Sequence, residues 1–183
     1  MGSRERPRFF DQGVSQGVTR SKPLVAVDTN ILIWGIRQEG PKGMIERAGW
    51  LFDFLEQEEA QIIVPSVVVS EYLIPTQESD HRNIIAAISS RFIVAPFDVR
   101  CTSLAAALFY PGKSARGLGK AVGHPATRVV LRADCLIAAT AKVAGATRFY
   151  SNDAPCRDTA KLAGMQPEDL PDIPPSIFQV PSE

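Results

Sequence analysis

Leu24-Val25-Ala26-Val27-Asp28-Thr29-Asn30-Ile31-Leu32 is the stretch from which the fold can be read. Leu24 to Val27 is a continuous apolar run that stops at an acid. A strand with one wet face alternates apolar and polar residues. An unbroken run of this length reads instead as a strand buried on both faces, as in a parallel sheet covered by helices. The residues after Asp28 take up a helical period over about 29–37. A buried strand that ends on an acid and feeds a helix is half of a βαβ unit.

The same alternation continues outward. A second helix is expected over 44–58 and a second buried strand at Ile62–Val64, ended by Pro65. Ser66 is a favoured N-cap residue for a helix over 66–74, with Pro75 after it. A helix over 80–90, a strand at Phe92–Ala95 and a helix capped by Asp98 and running to about Tyr110 follow. Residues 111–127 are Gly- and Pro-rich and irregular. A helix over 132–144 stops at Gly145, a strand covers Arg148–Ser151, and a last helix covers 156–163. Strands alternating with helices require right-handed crossovers. The expected fold is therefore α/β, a three-layer α/β/α sandwich around a central, mostly parallel sheet.

The ends differ in composition. Residues 1–22 are rich in Gly, Ser, Gln and Arg without hydrophobic period and read as a mobile arm. Residues 166–183 carry five prolines and four acids with no Lys or Arg, and read as a closing tail with one short strand at 177–180. The expected domain covers 23–165. Lys plus Arg and Asp plus Glu number 20 each, so the formal net charge is zero. A chain without excess positive charge cannot coat nucleic acid, and any such contact needs a local basic surface. Cys101, Cys135 and Cys156 are an odd number with no C-x-x-C pair, which reads as reduced thiols in a cytoplasmic protein. The charged first ten residues do not form a secretory signal. The run 24–36 is too short and too polar to cross a membrane.

In parallel α/β sheets, ligands bind beyond the carboxyl ends of the strands. Asp28 ends the first strand there, and as a residue type it serves equally well as a helix N-cap. Asp153 follows the fourth strand in Ser151-Asn152-Asp153, where turn chemistry explains it too. Glu71 stands in an apolar helical stretch and reads alone as a solvent-face acid. Asp134 is expected at the start of its helix, where an acid complements the dipole. Each acid has this ordinary explanation. Together they mark one edge of the sheet. Four converging carboxylates repel one another unless a cation intervenes, and oxygen-only ligands select a hard ion such as Mg²⁺ or Mn²⁺.

Four segments in order, Val27-Asp28-Thr29-Asn30, Pro65-Ser66-Val67-Val68-Val69-Ser70-Glu71, Ala133-Asp134-Cys135-Leu136-Ile137-Ala138-Ala139-Thr140-Ala141 and Tyr150-Ser151-Asn152-Asp153, resemble the PIN-domain nucleases, most closely the toxins of bacterial VapBC-type modules. The resemblance covers 24–164. It implies Mg²⁺- or Mn²⁺-dependent cleavage of single-stranded RNA, a cognate antitoxin and often a homodimer. It makes Asp28, Glu71, Asp134 and Asp153 the metal-site acids, with Asn30 and Ser151 in support. The family often has a further acid and an aromatic after the last acid, where this chain has Ala154-Pro155-Cys156. One ion is therefore expected, and a second is left open. Lys113, Arg116, Lys120, Arg128 and Arg132 lie in an acid-free stretch before Asp134, and read either as RNA contacts or as a solvated loop. A housekeeping RNA-processing nuclease and a non-catalytic RNA- or partner-binding module are the alternative functions.

Overall fold

The computed structural model describes residues 22–110 and 125–174. The expected N-terminal arm, the strand at 177–180 and the basic residues Lys113, Arg116 and Lys120 lie outside these ranges.

Strand β1 (Leu24–Val27) is the centre of the molecule. Val25, Ala26 and Val27 are fully buried, as the unbroken apolar run requires. Five strands form one sheet in the order β3-β2-β1-β4-β5, with β2 at Gln61–Pro65, β3 at Ile93–Ala95, β4 at Arg148–Tyr150 and β5 at Gln166–Glu168. Every strand pair is parallel, and helices cover both faces of the sheet. The three-layer α/β/α arrangement is thus present. The chain leaves β1 to build β2 and β3 on one side and later returns to build β4 and β5 on the other. The crevice outside the carboxyl ends of β1 and β4 is therefore the topological switch point, where α/β sheets place their ligands.

The helices are α1 (Thr29–Leu32), a π-helical turn (Ile33–Arg37), α2 (Lys42–Gln57), α3 (Ser66–Leu73), α4 (Glu78–Arg91), α5 (Val99–Phe109), α6 (Pro125–Val143) and α7 (Ala154–Leu162). Most bounds fall within two residues of expectation. The π turn replaces the second half of the single helix expected over 29–37. Here Gly35 presses on Phe52 of α2, and a Cβ at this position would sit 2.1 Å from the Phe52 ring. Gly145 closes α6 with φ +94, a conformation that glycine adopts without strain.

Three local expectations are corrected. The helix expected over 132–144 begins at Pro125, seven residues earlier. Its proline falls at the first helical position, where the missing N–H costs nothing. Asp134 is therefore mid-helix, and its reading as a helix-start acid does not hold. Ser66 does not cap α3. Pro65 is the cap residue, and the Ser66 hydroxyl accepts a hydrogen bond from the Phe97 amide at 3.0 Å. Finally, residues 166–168 are not tail but the fifth strand, paired to β4 with Tyr150 opposite Glu168. Leu170 beyond it is buried, and Arg47 of α2 donates to the carbonyl oxygens of Leu170 and Pro171. A boundary at 165 would cut through this packing.

Candidate metal centre at the carboxyl edge

Asp28 stands at the end of β1 with 6% of its surface exposed. Its Oδ1 accepts the Thr29 amide at 2.6 Å, so it does cap α1, and its Oδ2 accepts the Ser151 hydroxyl at 2.8 Å. The cap and the site readings are thus compatible, because each carboxylate oxygen keeps a free lone pair. Burial raises the Asp28 pKa above the usual aspartate range. The bonds from Ser151 and Thr29 offset part of that, and the charges of Glu71 and Asp153 add to it.

Asp134 reaches the same place from α6. It is equally buried, and its Oδ2 has no hydrogen-bond partner. Burial pushes its pKa up to about 7, helped by the charges of Asp153, Asp28 and Glu71. The Cys156 thiol acts slightly the other way, steadying the Asp134 anion. These effects put Asp28, just after β1, and Asp134, on α6, within electrostatic reach of each other, of Glu71 on α3 and of Asp153 in the turn after β4. A buried carboxylate oxygen without a donor is unfavourable, since buried polar groups in folded proteins are as a rule hydrogen-bonded. A hard cation is the partner that an all-oxygen set fits. Among the described residues, no three Asp, Glu, His or Cys side chains already close on a common point as a finished cage.

The turn after β4 is held from several sides. The Ser151 hydroxyl, besides bonding Asp28, accepts the Asp153 amide at 3.0 Å. Arg157 of α7 donates to the Ser151 carbonyl at 2.7 Å and lies 3.2 Å from Asp169. Thr29 bonds Glu71 through its hydroxyl. Asn30, by contrast, is exposed and makes no hydrogen bond to Asp28. Arg132 is exposed on α6, with its guanidinium 5.1 Å from the Phe109 ring centroid. Two positions before Asp134, it points roughly 200° around the helix from it. The backbone of Arg128 belongs to α6, and its side chain lies outside what is described.

Sequence reasoning passed over Thr29, Arg157 and Cys156. Thr29 had a usable signal, since it directly follows the strand-end acid. Cys156 sits in the third residue of α7 and is buried against the acids. Burial, then the charges of Asp28 and Asp134, push its thiol far up, so it stays protonated. The other two cysteines are buried and free as well, in keeping with the reading as reduced thiols.

A family model for the PIN domain matches residues 25–162. The chain belongs to the PIN-domain family. Its fold is similar to that in the VapBC-1 structure from nontypeable Haemophilus influenzae, with TM-score 0.51 and 16% identity over 80% of this chain and 98% of that one. It is similar also to VapBC2 from Rickettsia felis, solved bound to a DNA fragment from their promoter, with TM-score 0.50 and 17% identity over 80% and 98% of the two chains. At such identities the likeness speaks for the fold. No curated protein matches the chain. Among the described residues, no helix of this PIN-domain protein is long and apolar enough to cross a membrane.

Proposed function

We propose that this PIN-domain chain is a Mg²⁺- or Mn²⁺-dependent endoribonuclease that hydrolyses single-stranded RNA, and that it is the toxin of a toxin–antitoxin pair. One observation carries the reading: buried Asp134, with one oxygen unpartnered and its pKa near 7, faces three further acids at the sheet's switch point. Asp28, Asp134, Asp153 and Glu71 would hold the ion. When bound, it would supply Lewis-acid stabilisation of the phosphodiester and a lowered pKa for water. The chain's residues do the rest. Ser151 and Thr29 orient Asp28, and Arg157 fixes the turn that carries Asp153. The fold shared with VapBC proteins supports an antitoxin partner.

The test is direct. Purified protein with Mn²⁺ cuts single-stranded RNA, and both EDTA and Asp28→Asn abolish cutting. Failure to cut, or cutting indifferent to both, sinks the proposal. Growth arrest on expression without a partner favours the toxin over a housekeeping nuclease. A non-catalytic binding module draws support from the unclosed acid cluster and from Ala154-Pro155-Cys156 after Asp153. Calorimetry that detects neither Mg²⁺ nor Mn²⁺ binding would select it.

A further inference from the structure

Glu71 is the acid least secured by its own element. It is half-buried on α3, a helix of eight residues whose N-cap, Pro65, offers no side-chain hydrogen bond. A helix this short holds its place by tertiary contacts rather than by propensity. The Glu71 side chain is also long and facing like charges, so swinging out to solvent would relieve it. Two residues from the segment after β1 oppose that motion. Thr29 donates its hydroxyl to Glu71 Oε2, while its amide donates to Asp28 Oδ1 at 2.6 Å. One residue therefore contacts two acids, through two different donors. At the far end of the same segment, Arg37 donates to the Tyr72 carbonyl and holds its guanidinium 4.2 Å from the Tyr72 ring centroid. The residue next to Glu71 is thus clamped as well.

We propose that Thr29 is a positioning residue for the cation site, holding Glu71 with its hydroxyl and Asp28 with its amide, with Arg37 anchoring α3 beside them. The inference rests on the metal-site reading above and names the atoms that orient two of its acids. The chemistry suits the task. A β-branched side chain is stiff at χ1, so its hydroxyl is pre-aimed. Donation to Oε2 engages one oxygen of Glu71 and leaves the other free to face the cluster. Partners that orient metal ligands typically change metal affinity by about 10- to 100-fold when removed.

Mn²⁺ titration calorimetry on the full chain tests this without relying on turnover. Thr29→Ala is expected to bind Mn²⁺ about tenfold more weakly or worse. Thr29→Ser, which restores the hydroxyl, is expected to bind close to the parent. In the Glu71→Ala background, which lacks the acceptor, Thr29→Ala should add little, because the two share one interaction. Unchanged affinity in a folded Thr29→Ala overturns the proposal. So does a Thr29→Ser as weak as Thr29→Ala, which would mean that the methyl group and its packing matter instead. Should Thr29→Ala fail to fold, Thr29→Val replaces it, keeping the shape and losing the hydroxyl, and is read the same way. A parent chain that binds no Mn²⁺ overturns the proposed function and this inference together. Parent binding with indifferent Thr29 variants overturns this inference alone.

Discussion

At the amino end of the parallel sheet, opposite charges meet. Arg148, which opens β4, bonds Glu58 just before β2, and Lys22 lies 3.6 Å from Glu59. At the carboxyl end, some four residues along the same strands, like charges meet. Asp28, Asp134, Glu71 and Asp153 face one another, and Asp134 keeps a bare oxygen. A cavity of about 500 Å³ also opens at the amino end, lined by Phe52, Glu56, Gln61, Arg91 and Ile93, away from the acids. The two ends share strands and chain direction, so their difference lies in pairing. One end satisfies its charges internally. The other gathers charge of one sign.

The sharpest way to break this comparison is to titrate it. Asp134 stands at about 7 in the fold against the usual 3.8. Between those values the folded chain holds a proton that the unfolded chain releases. The Asp134 contribution to the stability of the metal-free protein is therefore full below about pH 4 and is lost as pH rises to about 7, by on the order of a few kcal/mol. Asp28 is shifted in the same direction and adds to the fall. Melting temperatures across this range, with and without Mn²⁺, check it. Mn²⁺ should restore the loss at pH 7.5. Asp134→Asn, metal-free, should flatten the profile, melt higher than the parent at pH 7.5 and lose the Mn²⁺ effect. A metal-free parent that gains stability from pH 5 to 7.5 contradicts the account.

A smaller effect is expected at Ser151. Ser151→Ala removes the donor to Asp28 Oδ2 and the acceptor of the Asp153 amide. Leaving buried groups unpaired costs about 1–3 kcal/mol, to be read by urea unfolding, and Mn²⁺ affinity should fall as well. The smallest effect belongs to the paired end. Glu58→Gln weakens the contact with Arg148 by about 1 kcal/mol or less and leaves Mn²⁺ binding unchanged. A Glu58 variant that alters Mn²⁺ affinity would mean that the two ends are coupled.

Much of this was legible in one dimension. Leu24–Val27 announced a central strand because burial on both faces forbids alternation. Asp28 and Asp153 could be placed beside one edge because the first directly follows a strand and the second lies in the short turn after one. Strand β5 was hidden because Gln166-Pro167-Glu168 has neither apolar content nor β propensity. It is a strand because β4 offers it a partner, and its burial is only partial. Asp134 was legible as an acid on a helix, yet its place along that helix was misjudged, since the Gly- and Pro-rich stretch before it masked where the helix starts.

The sequence by itself determined the alternation of strands and helices, the parallel direction of the sheet, and the two acids that strand ends carry to one edge. These follow from local periodicity and the handedness of crossovers, which need no long-range contact to be read. Only the tertiary structure decided which side chains support the acids. Thr29 bonds Glu71 across 42 residues of chain, and Ser151 rather than Asn30 bonds the Asp28 side chain, across 123. It also decided that Asp134 is buried with a bare oxygen and a raised pKa. Burial and charge coupling depend on what the rest of the chain packs around a residue, and no spacing along the sequence encodes them.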